Sequence, residues 1–241
     1  MYNLNNTPLQ ETKVNEVSVD IIIFTIRKKE LMALLIKRAH DPFRNMWAIP
    51  GGFIKLTEDL DEAAKRVLYE RTRVENVYLE QLYCFSAPNR YPSARVITVC
   101  YFALLGSHNI KITHNSEFEI KGVEWHSVYN SPSLAFDHEN IIKYAIRRLR
   151  ERLEYTNIAF QLLPPKFTLT DLQKVYEIIL NKPLDKRNFR KKILSLNILE
   201  ELEEYTKSFS KRPARLYNFI VTPENSGNGL FDPESKRVVS F

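Results

Sequence analysis

The sequence predicts an α+β chain: a mixed β-sheet with helices against it, followed by a small helix-turn-helix unit closed by a β-hairpin wing. Three observations predict it. Runs rich in Val, Ile, Tyr and Phe fill much of the first half, a composition suited to half-buried strands. From about residue 137 an apolar spacing near 3.6 takes over, as in "ENIIKYAIRRLRERLEY", which marks a long amphipathic helix. Pro164 and Pro165 then stop any helix before a second set of short periodic segments begins. The chain therefore divides into a first domain, 1–155, and a second, 156–241, with the boundary falling within 156–166.

In the first domain, "VSVDIIIFTI" and "LMALLIKRA" flank the charged turn "RKKE" and form a hairpin. Residues 58–73 place Leu60, Ala63, Ala64, Val67 and Leu68 on one helical side. "YLEQLYCFSA", "ARVITVCYFALL" and "FEIKGVEWHSV" supply further strands. Asp137 or Ser133 caps the long helix, which runs to about Tyr155. In the second domain "TLTDLQKVYEIIL" carries a capping signal and apolar Leu172, Val175, Tyr176 and Ile179, while "DKRNFRKKILSL" is a second helix capped by Asp185. "ILEELEEY" and "RPARLYNFIV" are the strands of the wing; the tail, 222–241, has no periodicity and stays unassigned.

A formal charge of +6 and a pI near 9.2 favour an anionic partner without choosing among nucleic acid, phosphates and acidic lipid. Cys84 and Cys100 have no metal or redox spacing and read as two core thiols in a reducing compartment. The N-terminus lacks a basic leader followed by an apolar stretch, and "DIIIFTI" is too short to span a bilayer. A soluble, cytoplasmic protein with no membrane partner is the expectation.

The segment "GFIKLTEDLDEAAKRVLYERTRV" carries the chemistry of the first domain. It resembles the signature of the Nudix hydrolases, G-x5-E-x7-R-E-U-x-E-E-x-G-U with U a bulky aliphatic, and keeps its spacing throughout. Gly52, Glu58, Arg66, Leu68, Glu70 and Val74 match; Val67, Arg71 and Arg73 stand where the family has Glu, Glu and Gly. The resemblance implies a Nudix-type α/β/α sandwich over roughly residues 15–150. On a helix, positions 67, 70 and 71 project to one side, where three carboxylates can hold Mg²⁺ against a pyrophosphate. Two are missing here, and Arg71 brings a cation instead. Like charges about 4 Å apart repel by roughly 4 kcal/mol at an intermediate dielectric, so metal binding and efficient hydrolysis are expected to be lost. Glu58, Arg66 and Glu70 are then catalytic remnants, with no resident metal or cofactor. Replacing the family glycine by Arg73 should also alter the loop after the helix, because that glycine serves a positive φ.

"SAPNRYPSARVITVCYF" resembles the G-x-P-x-R-D-P-R-G-R loop of ADP-ribose-handling Nudix proteins. Arg90, Pro92 and Arg95 match, and Tyr91 and Ser93 depart. The candidate effector-binding residues are Arg38, Gly51, Gly52, Glu70, Arg71, Arg90 and Arg95, with arginine forks suited to phosphate oxygens. Arg71 partly replaces the absent metal in this reading.

In the second domain Lys186, Arg187, Arg190 and Lys191 cluster on one helical face while Phe189, Ile193 and Leu196 gather on another. Such a helix packs by its apolar stripe and offers its basic face to a DNA major groove. Asn188, at the edge, is a base-reading candidate. Lys207, Lys211, Arg212 and Arg215 add a basic wing, and the carboxylates of "LEELEEY" are expected to point away from the duplex. Through "FTLTDLQKVYEIILNKPLDKRNFRKKIL" and "RPARLYNF" this half resembles the Nudix-related transcriptional regulators of the NrtR family. That resemblance implies a homodimer on a pseudo-palindromic operator, most often a repressor of NAD metabolism genes released by ADP-ribose or a related nucleotide. Two alternatives remain open: an active Nudix pyrophosphatase acting on ADP-ribose, and a regulator that senses a sugar or sugar phosphate. The five histidines show no metal spacing, and no P-loop, dinucleotide glycine motif or nucleophile elbow occurs.

Overall fold

The computed structural model describes residues 16–73, 75, 77–106, 120–155, 158–206 and 213–220. Strand β1 (Glu16–Arg27) turns through Lys28 and Lys29, both at positive φ (51° and 64°), into β2 (Glu30–Arg38). Positive φ at both central residues matches the right-handed twist of a two-residue hairpin. Two short strands that the pattern did not announce follow, β3 (Trp47–Ala48) and β4 (Gly51–Phe53). Helix α1 (Leu60–Thr72) comes next, then β5 (Tyr78–Phe85), β6 (Val96–Leu104), β7 (Ile120–Ser127) and helix α2 (His138–Tyr155).

These seven strands form one mixed sheet in the order β3-β2-β1-β6-β5, with β4 paired to β1 and β7 to β2. Only β1 and β6 run parallel among the described pairs, and both are buried on their two faces. Alternation along β1 sorts its side chains. Val19, Ile21 and Ile23 pack with Ala63, Ala64, Val67 and Leu68 of α1, whereas Ile22 and Phe24 pack with Ile141, Ala145 and Leu149 of α2. The α/β/α sandwich follows from that division.

The α2-side core does not stop at the boundary. It continues through Leu153 and a 3-10 turn at Ile158–Leu162 into the second domain, a turn that the sequence showed only as an interruption. There α3 (Leu169–Leu180), α4 (Lys186–Ser195) and the hairpin β8 (Leu199–Tyr205) and β9 (Arg215–Phe219) complete a winged helix. Thr168 and Asp171 form a reciprocal capping box at α3, and Asp185 caps α4. Leu172, Val175, Tyr176, Ile179, Phe189 and Ile193 are buried as their spacing predicted.

Cys100 is buried, but Cys84 is exposed, contrary to the expectation of two core thiols. It lies on β5, at the edge of the sheet, where alternate residues face outward. Residues 1–15, the loop residues Lys207, Lys211 and Arg212, and the tail fall outside the described residues. No helix among the described residues is long and apolar enough to cross a membrane.

Candidate effector site and DNA interface

Helix α1 begins with an Asp59–Glu62 capping box and carries Arg66 and Glu70 of the Nudix-like signature, with the retained Glu58 just before the cap. Arg66 grips Glu58 with two nitrogens, Nε to Oε2 at 2.8 Å and Nη2 to Oε1 at 2.5 Å. Its Nη1 donates to Glu70 Oε2 at 3.1 Å, and Nη2 also reaches the carbonyl of Phe53 at 3.1 Å. The Arg66 hydrogen bonds, with help from the Lys55 backbone N–H, lower the Glu58 pKa to about 2. Both surviving carboxylates are thus partners of one guanidinium.

Val67 is 1% exposed and sits in the sheet core, where a Cβ on Gly52 would come within 3.2 Å of its Cγ2. The position that holds a carboxylate in the family is therefore part of the hydrophobic core. Among the described residues no three His, Cys, Asp or Glu side chains converge as a metal-binding group. The donor set does not fit a resident Mg²⁺: one position is apolar and buried, position 71 is an arginine, and Glu58 is committed to Arg66. Arg71 lies on α1, but its side chain is outside what is described.

Arg73 corrects one expectation. It takes the left-handed conformation itself (φ 58°, ψ 21°), its N–H donating to Tyr69 O at 2.8 Å, so the helix ends there as a glycine would end it. Its guanidinium lies 4.9 Å from the Tyr69 ring centroid. That contact, worth about 0.5–1 kcal/mol at an exposed site, offsets part of a conformational cost of about 1–2 kcal/mol.

Arg90 departs further from expectation. Instead of facing a ligand it is buried, donating to both Asp137 oxygens (Nε to Oδ2 3.1 Å, Nη2 to Oδ1 2.7 Å) and to Thr98 Oγ1, with Asp20 3.8 Å away. Asp137 immediately precedes α2, at the helix start that the sequence predicted; its backbone carbonyl accepts from the Asn140 and Ile141 N–H groups, and its carboxylate holds Arg90. His138 Nδ1 accepts the Ile49 N–H at 2.9 Å, and its Nε2 lies 3.5 Å from Asp20. Gly51 is needed here: a Cβ would lie 1.9 Å from Asp20 Oδ1. The loops around the candidate pocket are consequently bolted to the head of α2.

Arg38 differs from Arg90. Its Nε donates to Pro42 O at 2.8 Å and its guanidinium stands 4.7 Å from the Phe136 ring centroid, while its terminal nitrogens make no hydrogen bond among the described residues. Burial lowers its pKa from the ordinary arginine value, with Tyr91, Asp20 and Asp41 opposing. Arg95 donates to Ser86 O at 2.7 Å. Tyr91 stacks on Phe136 and stands edge-to-face with Phe53, an aromatic group that charge-based reading of the loop overlooked.

Toward its far end α2 is tied to the second domain. Arg150 Nε donates to Ile179 O at 2.8 Å and Nη2 to Tyr129 Oη at 3.2 Å, while Tyr129 Oη reaches Ile178 O and Ile179 O at 3.2 and 3.3 Å. Arg152 pairs with the buried Glu80 of β5. Glu177 Oε1 then accepts the Leu184 N–H at 3.0 Å and holds the turn into α4.

On α4, Lys186, Arg187, Asn188 and Lys191 are exposed together. Arg190 is half-buried and its Nε has no hydrogen-bond partner among the described residues, so it is less available than the spacing implied. Arg215 is engaged within the wing, to Glu201 and to Tyr205 Oη (2.7 Å), and Glu201 accordingly turns onto the wing's own arginine. Lys166 pairs with Glu204 at 2.5 Å.

Comparison with known proteins agrees with this two-part organisation. Residues 14–149 match the NUDIX domain model, and residues 159–219 match the NrtR DNA-binding winged helix domain model. The chain is 38% identical over 209 residues, 85% of its length and 82% of the relative's, to the ADPR responsive transcriptional repressor NtrR of Acinetobacter baylyi. It is 35% identical over 131 residues, 54% of its length and 73% of the relative's, to the ADP-ribose pyrophosphatase of Methanocaldococcus jannaschii. The structure of Shewanella oneidensis NrtR complexed with a 27mer DNA superimposes with a TM-score of 0.75 at 32% identity, covering 85% of this chain and 93% of that one. The NUDIX domain of the same protein complexed with ADP ribose gives 0.52 at 33% identity, over 60% and 94% of the two chains. With both modules matched in order along one chain, the protein belongs to the NrtR family of transcriptional regulators, which join a NUDIX domain to a DNA-binding winged helix.

Proposed function

We propose that the protein is an ADP-ribose-responsive repressor, acting in the cytoplasm as a homodimer on a pseudo-palindromic operator of NAD metabolism genes. It senses the nucleotide in the Nudix pocket without cleaving it efficiently. The observation that carries the reading is the match, over 85% of the chain, to a repressor described as ADPR responsive. Its chemistry is supported by the exposed basic residues of α4 and by Arg38, whose terminal nitrogens make no hydrogen bond among the described residues. Effector binding must favour a conformation with low DNA affinity, since equal affinity for both states would regulate nothing. Helix α2 is the transmitter in this reading, with the pocket loops at its head and α3 held by Arg150.

The test is selection of sites from a random duplex pool, followed by binding at near-physiological salt with and without ADP-ribose. Enrichment of a palindrome and its release by ADP-ribose are expected. Failure to enrich any sequence sinks the regulator reading. The rival, a working pyrophosphatase, draws on the relative of that activity and on the retained Glu58 and Glu70. Metal-dependent release of AMP from ADP-ribose at an ordinary turnover rate would decide for it; the buried Val67 and the Arg66-held carboxylates favour its absence.

A further inference from the structure

Strand β8 carries four glutamates, Glu200, Glu201, Glu203 and Glu204, on the wing of a DNA-binding domain, where negative charge opposes phosphate. Glu204 pairs with Lys166 outside the hairpin, whereas Glu201 accepts from Arg215 Nη1 across it. The register fixes which side of the wing this is. Glu201 stands opposite Tyr217, and Tyr205 opposite Arg215, four steps along β8 against two along β9. Directly opposed residues share a face, as do alternate residues of one strand, so Glu201, Tyr217, Arg215 and Tyr205 lie on one side of the hairpin. Tyr217, the inner member, is buried. Burial raises its pKa, and the charges of Glu201, Arg215 and Arg190 of α4 all act on its hydroxyl. This side of the wing is therefore the one turned to α4, and Arg215 and Tyr205 continue it outward.

Arg215 is held at three places. Nη1 donates to Glu201, Nη2 donates to Tyr205 Oη at 2.7 Å, and the guanidinium carbon lies 5.4 Å from the Tyr205 ring centroid. An arginine fork has five N–H groups; those not engaged here make no hydrogen bond among the described residues. With side chains 44% and 49% exposed, the Arg215–Glu201 pair contributes little to stability. Its effect is to remove rotational freedom from a long side chain before a ligand arrives, a cost otherwise met on binding. A guanidinium fixed in its plane suits the paired oxygens of a phosphate. An acid that only neutralised Arg215 would need neither the hydroxyl nor the ring.

Resting on the DNA-binding reading above, we propose that Glu201 and Tyr205 are positioning residues, which hold Arg215 ready for a backbone phosphate on the α4 side of the wing. The test measures fluorescence anisotropy of the full chain on a labelled random-sequence duplex and on the duplex recovered by site selection, over a series of KCl concentrations. Arg215→Ala should weaken both and reduce the slope of log K against log salt by about 1. The decisive variant is Glu201→Ala. Charge alone predicts tighter binding once an acid near DNA is removed; positioning predicts binding weaker by about threefold or more, within the range for residues of one hydrogen-bonded network. Glu201→Gln, which keeps an acceptor for Arg215, should recover part of that loss. In the Arg215→Ala background the same Glu201→Ala change should strengthen binding, since only repulsion is left to remove. Tyr205→Phe should weaken binding less than Glu201→Ala. Glu201→Ala binding as tightly as wild type or more tightly with Arg215 present overturns the proposal, as does an Arg215→Ala variant with unchanged affinity and salt slope; either result leaves DNA binding through α4 intact. A wild-type chain that binds neither duplex removes the DNA-binding reading, and the positioning role with it.

Discussion

Arg90 and Asp137 lie 47 residues apart in the chain and meet through two hydrogen bonds, at 3.1 and 2.7 Å, in the interior of the first domain. The contact joins the loop before β6 to the residue that leads into α2, and so joins the surroundings of the pocket to the helix that leads out of it. Removing one member of a buried ion pair strands the other charge, which typically costs about 3–5 kcal/mol. Arg90→Ala should therefore lower the urea midpoint steeply, and Arg90→Lys, which cannot reproduce the two-pronged contact, should recover only part of the loss. A loss below about 1 kcal/mol would mean that the pair is not held as described.

The Arg150 and Tyr129 contacts with the last carbonyls of α3 predict a different phenotype. Arg150→Ala should leave ADP-ribose affinity and DNA affinity close to wild type, yet diminish the ratio of DNA dissociation constants with and without ADP-ribose. Couplings of this kind are usually about 1–3 kcal/mol, so a several-fold fall in that ratio is measurable by fluorescence anisotropy. An undiminished ratio would remove α2 as the transmitter.

Glu58 makes the stability of the first domain sensitive to acid. Its pKa falls from 4.5 to about 2 on folding, chiefly through the Arg66 hydrogen bonds. The folded value is the lower one, so the contribution is present above the unfolded pKa and is lost as pH falls from about 4.5 through about 2. Glu58→Gln should flatten that limb of the stability curve, measured by urea unfolding at a series of pH values. The wild-type slope persisting in the variant would assign it to other carboxylates.

Arg73 offers a test by sign. Arg73→Gly relieves a left-handed conformation worth about 1–2 kcal/mol and forfeits a cation–π contact of about 0.5–1 kcal/mol, so it should stabilise by roughly 0.5 kcal/mol. Arg73→Ala forfeits the contact without relieving the backbone and should destabilise by a similar amount. Thermal unfolding of the two variants side by side checks the difference in direction.

On α4 the exposed cations should separate from the half-buried one. Alanine at Lys186, Arg187 or Lys191 should weaken DNA binding, and for each phosphate contact removed the slope of log K against log salt should drop by about 1. Arg190→Ala should also lower stability, since its side chain is partly packed inside the winged helix. A salt slope unaffected by all three exposed substitutions would place the DNA on another surface.

Local signals were legible where one interaction dominates. The capping box at Thr168–Asp171, the apolar side of α1 and the two helices of the winged helix follow from spacing and short-range hydrogen bonding alone. The two-residue strands β3 and β4 were not legible, because they exist only through pairing with β2 and β1. The 3-10 turn at Ile158–Leu162 depends likewise on the core that it helps close.

By itself, the sequence determined the two-domain order, the alternation that buries β1 on both faces, the loss of two carboxylates from the Nudix-like helix and the basic character of α4. Each is a property of residue type and near-neighbour spacing. Only the tertiary structure decided what the charged residues do. It turned Arg90 inward because Asp137 and Asp20 wait there, set the Arg38 guanidinium over the Phe136 ring, gave Arg215 to Glu201, and set Phe53 against Tyr91. Whether a guanidinium meets a ligand or a carboxylate depends on partners tens of residues away, and that choice is made by the fold, through the cost of burying a charge without one.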